Sequence, residues 1–181
     1  INMAATLEFR LTGGSTNSDP NASLGGVMSD TPIDSSTVMN NLFDNVNPEE
    51  ASNGDTEYRA IDIYNSGDAS GEVVEMWIDQ ETSSADTHLE IAYDTTAKDG
   101  SDADSECHTA SWSGEAVADE DTAPSNANSG FTQHLSGNKL AMPASQKIPP
   151  SEAVRVWVSR VVQSSATNTP SDTGTLAVQY A

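Results

Sequence analysis

Residues Gly54–Asp79, GDTEYRAIDIYNSGDASGEVVEMWID, read as two β-strands joined by a polar turn. In the first strand Arg59, Ile61 and Ile63 share one face, and Tyr58, Ala60, Asp62 and Tyr64 share the other. In the second, Val74, Met76 and Ile78 share one face, and Val73, Glu75, Trp77 and Asp79 the other. Side chains alternate across a strand, so a period of two is the expected mark of extended chain. Asn65-Ser66-Gly67-Asp68 carries turn chemistry and Gly71 adds a second flexible point, which predicts a hairpin.

The same alternation recurs on both sides of this stretch. Thr6–Thr12 places Leu7, Phe9 and Leu11 on one face, and Thr87–Tyr93 does the same with Leu89, Ile91 and Tyr93. The rigid turn Ile148-Pro149-Pro150-Ser151-Glu152 leads into Ala153–Val162, where Val154, Val156 and Val158 oppose Arg155, Trp157 and Ser159. Leu176, Val178 and Tyr180 make a final strand, and weaker ones are expected at Thr109–Ser113 and near Lys139–Met142. Pro48-Glu49-Glu50-Ala51 suits a single helical turn, since proline is favoured at the first helical position.

Short strands separated by Gly, Pro, Asn and Asp predict an all-β fold. The expectation is one domain spanning residues 1–181: an antiparallel β-sandwich, jelly-roll or Ig-like, with Val73–Ile78 and Val154–Val162 central. Residues 12–50 are poor in apolar side chains: Ser15–Ser36 offers only Leu24, Val27, Met28 and Ile33, and Val38, Leu42, Phe43 and Val46 follow. Long irregular segments are uncommon inside compact domains. Residues 12–50 are therefore expected to form an extended N-terminal arm or loop resting on a neighbouring subunit.

Charge narrows the function. There are 28 Asp and Glu against 7 Lys and Arg, a formal net charge of −21. A phosphate-tracking protein needs a basic footprint, and anionic lipid attracts basic segments, so no nucleic-acid or membrane partner is expected. The acids are spread over the whole chain and form no tail. Such a composition suits either a polyanion for a basic partner or for cations, or a protein of concentrated salt, where the screening length shrinks to about 3 Å at 1 M. The spread of the acids favours the second and points to a halophile or a virus of one. The single cysteine, Cys107, excludes an intrachain disulfide and reads as a passive side chain. No run approaches the roughly 18 apolar residues of a membrane span and no signal-peptide pattern precedes Leu7, so a soluble mature protein is expected.

No catalytic, cofactor-binding or metal-ligating residue is assigned. The acidic loop Asp99-Gly100-Ser101-Asp102-Ala103-Asp104-Ser105-Glu106 has oxygens for a hard cation, but its glycine sits at the wrong place for an EF-hand. His88, His108 and His134 show no paired spacing. There is no G-x-S-x-G elbow and no phosphate-cradling glycine motif. Trp77 and Trp157 lie opposite the Val/Ile stripe of their strands, either covered within the fold or facing a subunit. Arg59, Arg155 and Arg160, three of four arginines, lie in or beside the best strands and are expected to form ion pairs inside the structure or across an interface.

Four strings carry a family resemblance: LTGGSTNSDPNASLGG (Leu11–Gly26), NNLFDNVNPEEASNGDTEYRAIDIYNSG (Asn40–Gly67), SSADTHLEIA (Ser83–Ala92) and IPPSEAVRVWVSRVV (Ile148–Val162). Their order resembles a family of small virion structural proteins of tailed bacteriophages. The family's paired basic residues at the end of the last string are interrupted here, Ser159 preceding Arg160. The resemblance covers about half the chain and is densest at Asn40–Gly67. It implies a non-enzymatic virion component without cofactors, and with the acidic composition a tailed virus of halophilic archaea. The expected place is the capsid surface, as decoration or turret. The alternative is a tail or baseplate component, including a receptor- or glycan-binding β-sandwich that uses Trp77, Trp112 or Trp157. Expected partners are the major capsid protein or tail proteins and further copies of the chain, assembled in the host cytoplasm into the virion.

Overall fold

The computed structural model describes residues 4–37, 39–101, 106–127, 130–142 and 147–181. The strands are β1 (Leu7–Thr12), β2 (Gly25–Pro32), β3 (Asp55–Asn65), β4 (Glu75–Gln80), β5 (Thr87–Tyr93), β6 (Ser113–Ala116), β7 (Leu140–Ala141), β8 (Ala153–Val162) and β9 (Thr175–Gln179). Among the described residues, one α-helix, α1 (Pro48–Asn53), precedes β3, and one short helical turn occupies Pro20–Ala22. No helix among the described residues is long and apolar enough to cross a membrane.

The chain forms an antiparallel β-sandwich of uneven layers. A six-stranded sheet runs β5-β8-β3-β1-β2-β6, and a three-stranded sheet runs β7-β4-β9. β8 and β4 each lie between two neighbours, as their apolar content predicts. The layers meet through the predicted stripes: Ile61 and Ile63 from β3, Leu89 and Ile91 from β5, Val154, Val156 and Val158 from β8, and Met76 and Ile78 from β4. Each such aliphatic side chain withdrawn from water contributes about 1.5–3 kcal/mol.

Three expectations are corrected. Gly54–Asp79 is not a hairpin: β3 pairs with β1 and β8, whereas β4 belongs to the other sheet. The connection is too heavily engaged elsewhere to be a tight turn. Asn65 Nδ2 donates to the carbonyls of Ala69 and Ile148, and Asp68 N donates to Ala4 O. The chain thus crosses from one layer to the other between residues 66 and 74. The weak strand around Trp112 begins only at Ser113, because Trp112 sits in a turn closed by its amide on Thr109 O.

The third correction concerns residues 12–50. They hold β2, which pairs with β1 and β6 of its own chain. Apolar content missed it because backbone pairing and buried hydroxyls hold this strand in place. Ser23 Oγ donates to Ala60 O at 2.7 Å, and Thr12 N donates to Ser23 Oγ at 2.9 Å. Val38 lies outside the described residues. Gly25, at φ +98°, enters β2 beside β6, and a Cβ there would overlap the Glu115 carbonyl oxygen. Gly25→Ala should destabilise the protein by about 2 kcal/mol, a typical strain for a non-glycine residue held in such a conformation. Urea unfolding checks this, and an unchanged midpoint contradicts the β2–β6 junction.

Candidate functional site

The β3–β8 pairing places two pairs of opposite charges directly across from each other. Glu57 faces Arg160 and Asp62 faces Arg155 in the same register. Alternation puts the first pair on the core side of the sheet, at its far end, and the second on the opposite side. With Arg59, which is buried as well, three of the four arginines act inside the protein, as expected.

On the outer side of the sheet, Asp62 and Arg155 are completely buried. Arg155 donates from Nε to Asp62 Oδ1 at 2.7 Å and from Nη2 to Oδ2 at 2.9 Å, a two-pronged match of guanidinium and carboxylate. His108 Nε2 lies 3.0 Å from the same Oδ1. Burial pushes the Asp62 carboxyl up, but Arg155 and His108 outweigh it and hold the group down at about 2. Trp112 lids the cluster, its ring 4.4 Å from that of His108 between centroids, with Arg155 and Lys98 over its face. Trp157 is buried beside it and donates from Nε1 to Asp94 Oδ2 at 2.8 Å.

At the other end, Arg160 donates from Nε to Glu57 Oε2 at 2.5 Å and from Nη1 to Asp44 O at 2.5 Å. Arg59 pairs with Glu120 and donates from Nε to Leu42 O at 3.2 Å, and Phe43 lies against both guanidiniums. Residues 42–44 are thus fixed to the sheet by carbonyl contacts and stacking. Burial pushes Glu57 up to about 7, with Arg160 pulling the other way.

The sign of the Glu57 effect follows from linkage. Below the ordinary 4.5 the group is neutral in both folded and unfolded chains. Between 4.5 and about 7 the folded chain keeps a proton that the unfolded chain releases, so stability falls as pH rises through this window. Allowing for solvent screening, the loss is on the order of 2 kcal/mol. Glu57→Gln should flatten that slope in thermal melts taken in metal-free buffer from about pH 4 to about pH 8; an unchanged slope assigns the effect elsewhere.

Next to this second cluster lies a cleft between residues 39–48 and residues 165–176, the loop before β9 and its first residues. It consists of two adjoining cavities of about 740 and 370 Å³ that share Met39, Asp44, Thr82, Arg160 and Asp172. Phe9, Leu42, Phe43 and Leu176 give the smaller one an apolar floor. Asp172 accepts from Ser83 Oγ, Ser84 N and Thr87 Oγ1. Although burial raises its carboxyl, these donors hold it below the usual range. It fastens one wall of the cleft to the start of β5.

The remaining candidates fall in separate places. His88 lies 3.6 Å from Glu90, His134 Nδ1 lies 2.9 Å from Asn138 O, and His108 belongs to the Asp62 cluster. Cys107 is buried with its Sγ 3.0 Å from Lys147 O. In the acidic loop, Asp99 accepts from the Thr109 amide and hydroxyl, whereas Asp102, Ala103, Asp104 and Ser105 lie outside the described residues. Trp157 and Trp112 are withdrawn from solvent, so neither offers an aromatic platform or a subunit contact; Trp77 is half-buried, with Lys139 over its ring. Sequence reasoning missed the carboxylate partners Asp62, Glu57 and Glu120. The signal for the first two was opposite charge at facing positions, which needed the β3–β8 register to be seen. No family model matches the chain, and no curated protein or solved structure matches it.

Proposed function

We propose that the chain is a non-enzymatic structural protein of a tailed virion from a halophilic archaeal host, placed on the capsid surface as decoration or turret. It acts by shape and burial, binding copies of itself and the major capsid protein. The observation that carries this reading is where the charges sit. Arg59, Arg155, Arg160 and Lys98 are withdrawn against carboxylates, so the exterior is overwhelmingly anionic. In contrast, β9 and its flanks, Thr173–Ala181, hold no charged side chain, and β9 pairs only with β4 among the described residues. An open, uncharged strand edge is where a repelling polyanion can meet another chain by backbone pairing.

Light scattering in about 3 M KCl tests this: a defined homo-oligomer, or co-sedimentation with purified particles, is expected. A monomer with no affinity for particle proteins overturns it. The anionic exterior also predicts salt-dependent stability. Urea unfolding midpoints should rise steadily between about 0.1 M and about 3 M KCl as self-repulsion is screened, and equal midpoints would count against a halophilic origin. A tail or baseplate module that binds glycans is the second reading, favoured by the partly exposed Trp77 beside Lys139 and Asp79. It requires signal on a glycan array that Trp77→Ala abolishes.

A further inference from the structure

Glu57 is 1% exposed, and one of its oxygens is unexplained. Oε2 is taken by Arg160, whereas Oε1 has no hydrogen-bond partner among the described residues. A buried carboxylate oxygen without a donor is unfavourable by kilocalories and calls for a ligand.

Two further carboxylates converge on Glu57. Glu50, Asp55 and Glu57 each bring one oxygen to within 4.8 Å of the others. Each is placed by local structure. Asp55 and Glu57 are two residues apart on β3 and so share a face. Glu50 closes a capping box with Asn47 at the start of α1, and Gly54 N donates to Glu50 O at 2.8 Å where the helix gives way to β3. A second trio, Asp44, Glu57 and Glu120, has similar spacing, but guanidiniums fill it: Arg59 holds Glu120, and Arg160 reaches Asp44 at 3.6 Å.

The ligand set selects the ion. Calcium takes six to eight oxygens in flexible geometry, whereas magnesium keeps most of its waters and is ordinarily held through one or two carboxylates, so three converging carboxylates suit calcium. We propose that Glu50, Asp55 and Glu57 bind a calcium ion, with Glu57 contributing Oε1. The ion ties α1 to the start of β3. Because Asn47, Pro48, Ala51 and Ser52 of the capped helix line the larger cavity, calcium also sets that wall of the cleft. The site is independent of the virion reading and holds whether or not the chain is found in particles.

The test is calorimetric titration of chelator-treated protein with CaCl₂, alongside thermal melts. One site per chain with a dissociation constant of about 10⁻⁴ M or tighter and a higher melting temperature is expected, with MgCl₂ at least about tenfold weaker. Asp55→Asn and Glu50→Gln, at half-buried positions, should each abolish the site while leaving the circular dichroism spectrum unchanged. Asp119→Asn, outside the trio, should retain it. No binding up to about 10 mM CaCl₂, equal affinity for magnesium, or diffuse binding untouched by the Asp55 and Glu50 substitutions overturns the site.

Discussion

Asp62→Ala is expected to lower the unfolding free energy by about 3–5 kcal/mol, because it strands a buried guanidinium. Arg155 is completely enclosed, and Asp62 takes both of its strong hydrogen bonds; the remaining contact from Nη2 is to Gly26 O at 3.0 Å. Water cannot reach the site to replace the lost charge. Removing both partners is a different experiment. Asp62→Leu combined with Arg155→Met should recover most of the loss, since well-packed apolar pairs replace buried ion pairs at little net change. Urea unfolding of the two single variants and the double completes the cycle. A loss under about 1 kcal/mol for Asp62→Ala would mean that the pair is solvated and the Trp112 cover over it open. Acid gives an independent check. The folded Asp62 carboxyl lies at about 2 against an ordinary 3.8, so its contribution is complete above 3.8 and fades as pH falls toward 2.

Trp157→Ala is the second large effect, at about 3–5 kcal/mol for an aromatic side chain deleted from a closed interior. Two losses combine. The indole is fully buried in the middle of β8, facing Ala60 on β3 and Ala92 on β5, small residues that leave room for it. Its Nε1–H also satisfies Asp94 Oδ2. Trp157→Phe separates the two: the ring volume is largely kept, and the orphaned carboxylate oxygen should account for about 1–3 kcal/mol. If Trp157→Ala costs under about 1 kcal/mol, the outer face of the sheet is not a packed layer.

The strands that carry the core were legible because their apolar residues alternate without interruption. Leu89, Ile91 and Tyr93 in β5, and Val154, Val156 and Val158 in β8, needed nothing beyond the period of two. The pairing was less so. Asn65-Ser66-Gly67-Asp68 has the composition of a hairpin turn, but composition does not say which sheet the next strand enters. β2 was invisible for another reason: Gly25–Pro32 contributes only Met28 as a fully buried apolar side chain, and its position rests on backbone pairing and on Ser23 and Thr12 hydroxyls. The buried arginines were legible as a class, since cations scarce in an acidic chain sat in apolar strands. Their partners depended on long-range register, Asp62 lying 93 residues from Arg155. The carboxylate trio at the α1–β3 junction was illegible among 28 acids until folding brought Glu50 beside Asp55 and Glu57.

Immunogold labelling of purified tailed particles, kept in high salt and probed with antibody against this chain, bears most directly on what the protein is for. Label repeating at fixed positions over the head is the predicted result. Particles free of label, while the chain accumulates unassembled in the same lysate, would contradict a role in the virion.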